Sequence, residues 1–226
     1  MVSKPLIIAI DGPSGAGKGT VARAVASRLG YRHVDTGAMY RAVAWLALHD
    51  NIALEDEAAV AGAGERATFD LEQGRVTIDG HDVAAAIRTP EIDRASAVVA
   101  RHAAVRRVLV ARQRLMGEGG AVVMEGRDIG TVVFPQADVK VYLDASPEER
   151  ARRRAADPAH ASSKGAALAD VATALAERDK SDSTRAVSPL AVAADAVVID
   201  TTALAVETVI ERVIELAKAK CGMPKC

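Results

Sequence analysis

The segment from residue 12 to residue 20 has the residue types and spacing of a phosphate-binding loop, since it reads Gly-Pro-Ser-Gly-Ala-Gly-Lys-Gly-Thr. Glycines allow the backbone to curl until successive N–H groups point inward, and a helix that begins at the end of the loop adds unpaired N–H groups and the positive end of its dipole. Lys18 adds a point charge that can reach the outer phosphates of a nucleotide. The chemistry predicted from these residues is the binding and transfer of phosphoryl groups.

The stretches on either side of the loop are those that such a loop needs. Residues 6–10 are an apolar run typical of a buried strand, and residues 21–29 have the pattern of an amphipathic helix. A second strand at 31–34 and a second helix at 37–48, introduced by an Asp-Thr cap, repeat the order. Alternating strands and helices predict an α/β protein with a parallel sheet and with its site at the carboxyl ends of the strands.

The rest of the chain continues this pattern with one interruption. Apolar runs at 121–124, 139–143 and 196–200 predict further core strands, and residues 201–202 are expected to cap the last helix. Residues 67–83 alternate apolar and polar side chains around a glycine turn, which predicts a β-hairpin followed by a short third strand. An antiparallel patch inside an α/β chain is either an inserted substrate-binding lobe or a surface decoration, and the pattern alone leaves both open.

Charged residues occur where the parallel sheet predicts a site. Residues 125–131, at the carboxyl end of the strand at 121–124, combine two carboxylates and an arginine with a glycine-rich turn. Charges in that place are suited to a site rather than to packing. Arg41, in the second helix, either forms a surface ion pair or clamps a second phosphate.

Arginines are concentrated in the helix that Ser146 is expected to cap, with Pro147 in its first turn. Arg150, Arg153 and Arg154 share a face of that helix, where their repulsion is costly unless an anion is near. Residues 155–167 have few apolar anchors, and arginines beside a mobile segment predict a lid that closes over the phosphates of a nucleotide. Further on, a helix carries Arg178 and Asp182 four residues apart, and the simplest interpretation is that they pair with each other.

Composition excludes several other classes of protein. The 226 residues carry a net charge of −1 and only 3% aromatic residues, which argues against binding of a nucleic-acid polymer. The two cysteines, Cys221 and Cys226, lie at the end of the chain and predict no disulfide framework. No apolar run approaches membrane-spanning length and no leader precedes the first strand, so we expect a cytoplasmic protein without a membrane partner, and nothing demands more than a monomer.

The motifs and their order resemble those of bacterial cytidylate kinases over residues 5 to 215. Gly-Lys-Gly-Thr, with Gly19 where the general pattern has a magnesium-binding Ser or Thr and with Thr20 one residue later, is similar to the loop of nucleoside monophosphate kinases. The other motifs are more specific to the cytidylate kinases. They are Asp-Thr-Gly-Ala-Met-Tyr-Arg at 35–41, Gly-Arg-Asp-Ile-Gly-Thr-Val-Val-Phe-Pro at 126–135 and Arg-Ala-Val-Ser-Pro-Leu at 185–190.

The resemblance implies a fold and an activity. The expected fold is a P-loop kinase core with a five-stranded parallel sheet flanked by helices, a small antiparallel β insertion and a lid. Residues 1–60 and 104–226 would form the core, with the lid at about 150–185, and residues 61–103 would form the CMP-binding lobe. The implied reaction is transfer of the γ-phosphate of ATP, with Mg²⁺, to CMP or dCMP.

The resemblance also implies roles for individual residues. The catalytic residues would be Lys18, Arg127, Arg153 and Arg185. The ATP-binding residues would be Gly12, Pro13, Ser14, Gly15, Ala16, Gly17, Lys18, Gly19, Thr20 and Arg154, with Thr20 also an indirect contact of the metal. The CMP-binding residues would be Thr36, Arg41, Ser96, Arg106, Arg127, Asp128, Arg178 and Asp182. Of these, Asp128 and Arg106 would read the cytosine edge, and Arg178 and Asp182 the sugar hydroxyls.

One departure from the family pattern affects base reading. The family has a cytosine-reading serine nine residues before the arginine of a Val-Arg pair, but nine residues before Arg106 stands Ala97, with Ser96 one position off. The proline expected three residues before that arginine is Ala103. Either Ser96 serves through a shifted helix start or the contact is lost.

Three other classes of protein remain as alternatives. An adenylate, shikimate or thymidylate kinase would share the loop but not the motifs at 35–41 and 126–135. A regulatory GTP switch would need Asp-x-x-Gly and Asn-Lys-x-Asp, whereas Asp-x-x-Gly does not occur and the single asparagine, Asn51, precedes Ile. A non-catalytic nucleotide-binding module would bind ATP without turnover and would not need Arg41, Arg127 and Asp128 together.

Overall fold

Five parallel strands form the central sheet of this computed structural model, which describes residues 5–71, 75–157 and 167–221. The strands are β1 (Ile7–Asp11), β2 (Arg32–Asp35), β6 (Val122–Gly126), β7 (Val139–Asp144) and β8 (Val197–Asp200). Their order across the sheet is β2-β6-β1-β7-β8, and each neighbouring pair is parallel. The register pairs Asp11 with Gly126 and Asp35 with Glu125, so the polar ends of β1, β2 and β6 meet at one edge.

Helices pack on both faces of this sheet, as the sequence predicted. They are α1 (Lys18–Leu29), α2 (Thr36–His49), α3 (Glu57–Arg66), α4 (Pro90–Val99), α5 (Ala103–Gly117), α6 (Pro147–Ala156), α7 (Leu168–Ser183) and α8 (Val206–Cys221). Successive residues of β1 point to opposite faces. Ile8 and Ile10 pack in a cluster with α1 and α8, whereas Ala9 packs with Val110 of α5 and Ile129. The predicted α/β fold with a five-stranded parallel sheet is confirmed.

The interruption predicted at residues 67–83 is a small antiparallel sheet. It consists of β3 (Phe69–Asp70), β4 (Thr77–Ile78) and β5 (His81–Asp82) in that order. Ile78 and Val83 are fully buried in a cluster that includes Ala42 of α2, so the sheet packs on the helix that follows β2. Residues 72–74, the predicted hairpin turn, lie outside the described residues.

Two expectations for the second half of the chain need correction or restriction. The segment predicted to be mobile, 155–167, falls largely outside the described residues, since 158–166 are not described. The closing helix begins at Val206, too late for residues 201–202 to cap it. Thr201 instead donates its hydroxyl to the carbonyl of Asp144 at 2.9 Å and ties β8 to β7. Within the described ranges, no helix has both the length and the apolar character needed to cross a membrane.

Candidate active site

The loop between β1 and α1 has the shape that its glycines allow. Gly12 has a φ of +146°, and a Cβ there would lie 2.0 Å from the carbonyl oxygen of Leu143, so no other residue fits without moving β7. Gly15 and Gly17 also have positive φ values, 81° and 89°. The ammonium of Lys18 is folded back into the loop and donates to the carbonyl of Pro13 at 2.7 Å.

The charge of Lys18 is poised by its surroundings. Burial, with a contribution from the neighbouring Arg127, lowers its pKa to about 7, while Glu125 and Asp11 oppose the shift. A ligand that brings negative charge into the loop would favour the protonated form. The buried positive charge of Lys18 is therefore unfavourable in the free protein, and a bound anion would stabilise it.

Arg150 supports the loop from behind. Its guanidinium donates to the carbonyl of Ser14 at 3.2 Å and also pairs with Asp179 of α7. The neighbouring arginines of α6 are compensated as well, because Arg153 pairs with Glu149 at 2.8 Å and Arg154 pairs with Asp93. The anions that repulsion among these arginines requires are carboxylates of the protein itself, Glu149 in α6 and Asp179 and Asp93 in other helices.

Arg41 lies in the second turn of α2 and is held there by Asp35. Asp35 caps the helix by accepting from the backbone N–H of Ala38 at 2.9 Å, and its other oxygen accepts from Arg41 at 3.0 Å. Burial by itself would raise the pKa of Asp35, but Arg41 and Arg88 outweigh it and lower the pKa to about 2. The Nε of Arg41 is buried without a hydrogen-bond partner, which leaves donor capacity for a ligand.

The carboxyl end of β6 carries two ion pairs that reach across the cleft. Arg127 donates to Asp182 of α7 at 2.8 Å, and Arg106 of α5 donates to Asp128 at 2.5 Å. The second pair is almost completely buried, with side chains 2% and 6% exposed. Asp182 therefore pairs with Arg127, and Arg178 pairs with Asp93. The simplest interpretation, that Arg178 and Asp182 pair with each other, is wrong.

Asp11 was not predicted as a site residue, yet it holds the turn that follows Arg127. Its carboxylate accepts from the backbone N–H groups of Ile129 and Gly130 at 2.8 and 2.7 Å. Burial raises the pKa of Asp11 to about 6, with the two backbone hydrogen bonds acting in the opposite direction. Its position at the end of the strand before the loop was the available signal, but the backbone partners are 118 and 119 residues away.

These elements enclose one cavity of about 720 Å³. It is large enough for small-molecule ligands, and the arginines on its wall favour anions. Most predicted site residues line it: Ser14, Gly15, Ala16, Gly17, Lys18, Gly19, Thr20, Thr36, Arg41, Ser96, Arg106, Arg127, Asp128, Arg153, Arg154, Arg178, Asp182 and Arg185. Gly12 and Pro13 are not among the described residues of the wall: Gly12 lies against Leu143, and the carbonyl of Pro13 accepts from Lys18.

Ser96 reaches the wall although its spacing departs from the family pattern. It lies in α4, which begins at Pro90, and its side chain is buried at the cavity. The hydroxyl donates to the carbonyl of Asp93 at 2.9 Å, so its oxygen can still accept a hydrogen bond. Ala97, at the family's position, also lines the cavity.

A phosphate-binding loop after the first strand of a five-stranded parallel sheet, with arginines of α2, α5, α6 and α7 on the same cavity wall, defines a P-loop kinase. The sequence profile of the cytidylate kinase family matches residues 8–219, and the chain belongs to that family. The predicted family membership and the prediction that the chain is an enzyme are confirmed.

Similarity to known proteins extends over nearly the whole chain. It is 49% identical to a cytidylate kinase of Desulfitobacterium hafniense, over 97% of this chain and 95% of that protein. It is 48% identical to a bifunctional pantoate ligase/cytidylate kinase of Prochlorococcus marinus, of which it spans only 46%. Among solved structures, a gluconokinase of Sinorhizobium meliloti is 15% identical with a TM-score of 0.50, over 96% of this chain and 95% of that one, and shares the fold alone.

Proposed function

We propose that this chain transfers the γ-phosphoryl group of ATP to CMP or dCMP, giving ADP and CDP or dCDP. The observation that carries the proposal is the buried Arg106–Asp128 pair, which lines the same cavity as the phosphate-binding loop. A buried carboxylate and guanidinium on a cavity wall, the guanidinium with an Nε that has no partner, are suited to reading a base by hydrogen bonds. The loop would bind the phosphoryl donor, ATP, and the Arg106–Asp128 pair would bind the phosphoryl acceptor, CMP or dCMP.

On the donor side, the backbone N–H groups of the loop and Lys18 bind the ATP phosphates. The ammonium, now held by the carbonyl of Pro13, turns to the phosphates when ATP enters. Arg153 and Arg185 add charge around the transferring group. Arg185 is buried and its Nη2 lacks a hydrogen-bond partner, which a phosphoryl oxygen would supply.

On the acceptor side, Arg41 and Arg127 bind the phosphate of CMP, and Arg178 and Asp182 bind the pentose with Thr36 nearby. Cytosine presents an amino donor beside two acceptors. Asp128 would accept from the amino group, and Arg106 would donate to the acceptors. With UMP, the carboxylate would face a carbonyl oxygen and leave buried groups unpaired. The small sheet and α4, within residues 61–103, would form the lobe that closes on CMP, and α6 and α7 the lid that excludes water.

The carboxylate oxygens of Glu125, which lie near Gly19, fit the Mg²⁺ that accompanies ATP. At the position where the general loop has a hydroxyl, a Cβ on Gly19 would lie 3.2 Å from Oε1 of the buried Glu125. Mg²⁺ prefers carboxylate oxygens and water. Glu125 would therefore hold the metal in place of the missing hydroxyl, with Thr20 as an indirect contact, and the metal would neutralise phosphate charge.

The acceptor specificity tests the proposed function. We expect ADP release from ATP and Mg²⁺ to be fast with CMP and dCMP and slow with UMP, AMP, TMP and shikimate as acceptors. Preference for another acceptor would keep the P-loop argument and refute the assignments of Arg106 and Asp128. ATP binding without turnover on any of these acceptors would favour the non-catalytic module.

Replacing Glu125 with glutamine should raise the Mg²⁺ concentration for half-maximal rate by about tenfold, as expected when a metal-holding carboxylate loses its charge. The measurement is a Mg²⁺ titration of turnover at fixed free ATP. Glu207→Gln is the matched control, because Glu207 pairs with Arg28 at an exposed surface and should leave the titration unchanged. A variant with an unaltered Mg²⁺ midpoint would rule out this role for Glu125.

The pKa of Lys18 predicts a pH profile. The protonated ammonium binds phosphate, and in the free enzyme it loses its proton with a pKa of about 7. Since kcat/KM for ATP reports the free enzyme, it should be level below that pH and fall above it, whereas kcat should stay level to higher pH because bound phosphates favour the charged form. Residual activity of Lys18→Arg should lack the fall. If the wild-type kcat/KM stays level up to about pH 9, the pKa of Lys18 in the free enzyme is not lowered to about 7, and the prediction is wrong.

A further inference from the structure

Asp93, in the first turns of α4, holds two arginines that reach it from different helices. Its carboxylate accepts from Arg154, in the last turn of α6, and from Arg178 of α7, the latter at 3.0 Å. All three side chains are about four-fifths buried, with 19%, 18% and 21% exposed. One carboxylate therefore joins the two helices of the predicted lid to the helix that carries Ser96.

The carboxylate acts on the cavity from behind. Arg154 and Arg178 are on the cavity wall, and Asp93 is not among the described residues that line it. Arg178 has a buried Nε without a hydrogen-bond partner, so its contact with Asp93 is what directs the guanidinium. Asp93 thus determines where both guanidiniums stand without occupying the space of a ligand.

Electrostatics supports the same conclusion. Burial lowers the pKa of both arginines. Arg178 and Arg41 lower the pKa of Arg154 further, and Arg127 and Arg41 do the same for Arg178. Asp93 is the leading opposing charge for Arg154 and the first of two, with Asp182, for Arg178. Two guanidiniums that share one carboxylate keep a net positive charge, which remains available to a phosphate.

We propose that Asp93 is a positioning residue that sets Arg154 against the phosphates of ATP and Arg178 against the pentose of CMP, and so couples the two substrate sites. This inference rests on the proposed function. Neither guanidinium can move away without losing its ion pair with Asp93. Loss of that carboxylate therefore affects the binding of both substrates at once.

The test is a set of double-mutant cycles. Asp93→Asn removes the charge, and we expect KM for ATP and KM for CMP each to rise roughly tenfold, the scale of one charge-assisted hydrogen bond, with a smaller change in kcat. If Asp93 acts through the arginines, its effect on KM for ATP should vanish in an Arg154→Ala background. Its effect on KM for CMP should likewise vanish in an Arg178→Ala background.

Conservative and control variants separate positioning from packing. Asp93→Glu keeps the charge and should keep both KM values within about threefold of wild type, since one methylene is a small displacement. Glu91→Gln removes an exposed charge from the same turn and should change neither KM. Thermal unfolding of each variant identifies those that fold. If Asp93→Asn does not fold, the two KM values of Asp93→Glu provide the test.

Two results would overturn the inference. One is additive effects of Asp93→Asn and the arginine substitutions, and the other is equal losses in Asp93→Asn and Asp93→Glu. Either result with wild-type enzyme that phosphorylates CMP rejects the role of Asp93 and leaves the proposed function standing. Wild-type enzyme that does not phosphorylate CMP rejects the proposed function itself, and the ATP arm of the cycle, measured by binding of a non-hydrolysable ATP analogue, then still tests Asp93 through Arg154.

Discussion

Lys18→Ala is expected to lower kcat for CMP phosphorylation at least ~100-fold, because a charge that stabilises the transferring phosphoryl group is lost. Charge on the phosphate oxygens builds up during transfer, and a cation in a site closed to water stabilises it far more than one in solvent. The buried ammonium, 2.7 Å from the carbonyl of Pro13, is already inside the loop and needs only a short rotation to meet the phosphates.

The measurement is steady-state turnover at saturating ATP and CMP, beside a matched control. Lys140 is also buried, and its ammonium also donates to a proline carbonyl, that of Pro135, at 2.6 Å, as well as to Asp195. Lys140→Met should reduce thermal stability and leave turnover close to wild type. Near-normal turnover of Lys18→Ala would remove Lys18 from the mechanism, whereas an equal loss in both variants would attribute the loss to folding.

Asp128→Asn is expected to reduce or reverse the preference for CMP over UMP. The carboxylate uses one oxygen for Arg106, so the other can accept from the amino group of cytosine. In the variant, the amide oxygen would keep the contact with Arg106 and the amide NH₂ would point to the base, where it matches the O4 of uracil and opposes the amino group. A site built on such hydrogen bonds discriminates by up to roughly 10⁴, so the ratio of the two kcat/KM values should fall by orders of magnitude.

The asparagine variant is preferable to alanine because Arg106 is 2% exposed. A buried arginine without a partner costs roughly 3–5 kcal/mol, and the loss of folding would obscure the change in specificity. The measurement is kcat/KM for CMP and UMP in wild type and variant. Asp138→Asn controls for the substitution itself, because Asp138 accepts from the backbone N–H of Ile7 at the other end of the sheet. An unchanged CMP-to-UMP ratio in Asp128→Asn would refute the base-reading role.

Local patterns were sufficient for the parts of the fold that depend on neighbours in the chain. The glycines at 12, 15 and 17 predicted the loop, and their φ values require residues that tolerate positive φ. The caps predicted at Asp35 and Ser146 both accept from the backbone N–H group three residues on, because capping is decided within a single turn. The order of strands and helices likewise predicted the parallel sheet.

The ion pairs of the site could not be predicted from local sequence patterns. Arg178 has an acidic residue four positions away, but its guanidinium binds Asp93, which is 85 residues distant in sequence. Asp182 in turn binds Arg127, 55 residues away. An i,i+4 pair contributes only a few tenths of a kcal/mol, so any well-placed partner from another helix outweighs it.

The sequence by itself determined which chemistry the chain carries: a phosphate-binding loop, a set of arginines and an acidic residue at the end of a core strand, in an order that belongs to one family. Tertiary structure decided which carboxylate each arginine faces, that Arg150 supports the loop, and that Asp93 joins two arginines behind the cavity. The physical reason is that spacing specifies only contacts along one element. The charge partner of a long side chain depends on which helices and strands packing brings within reach.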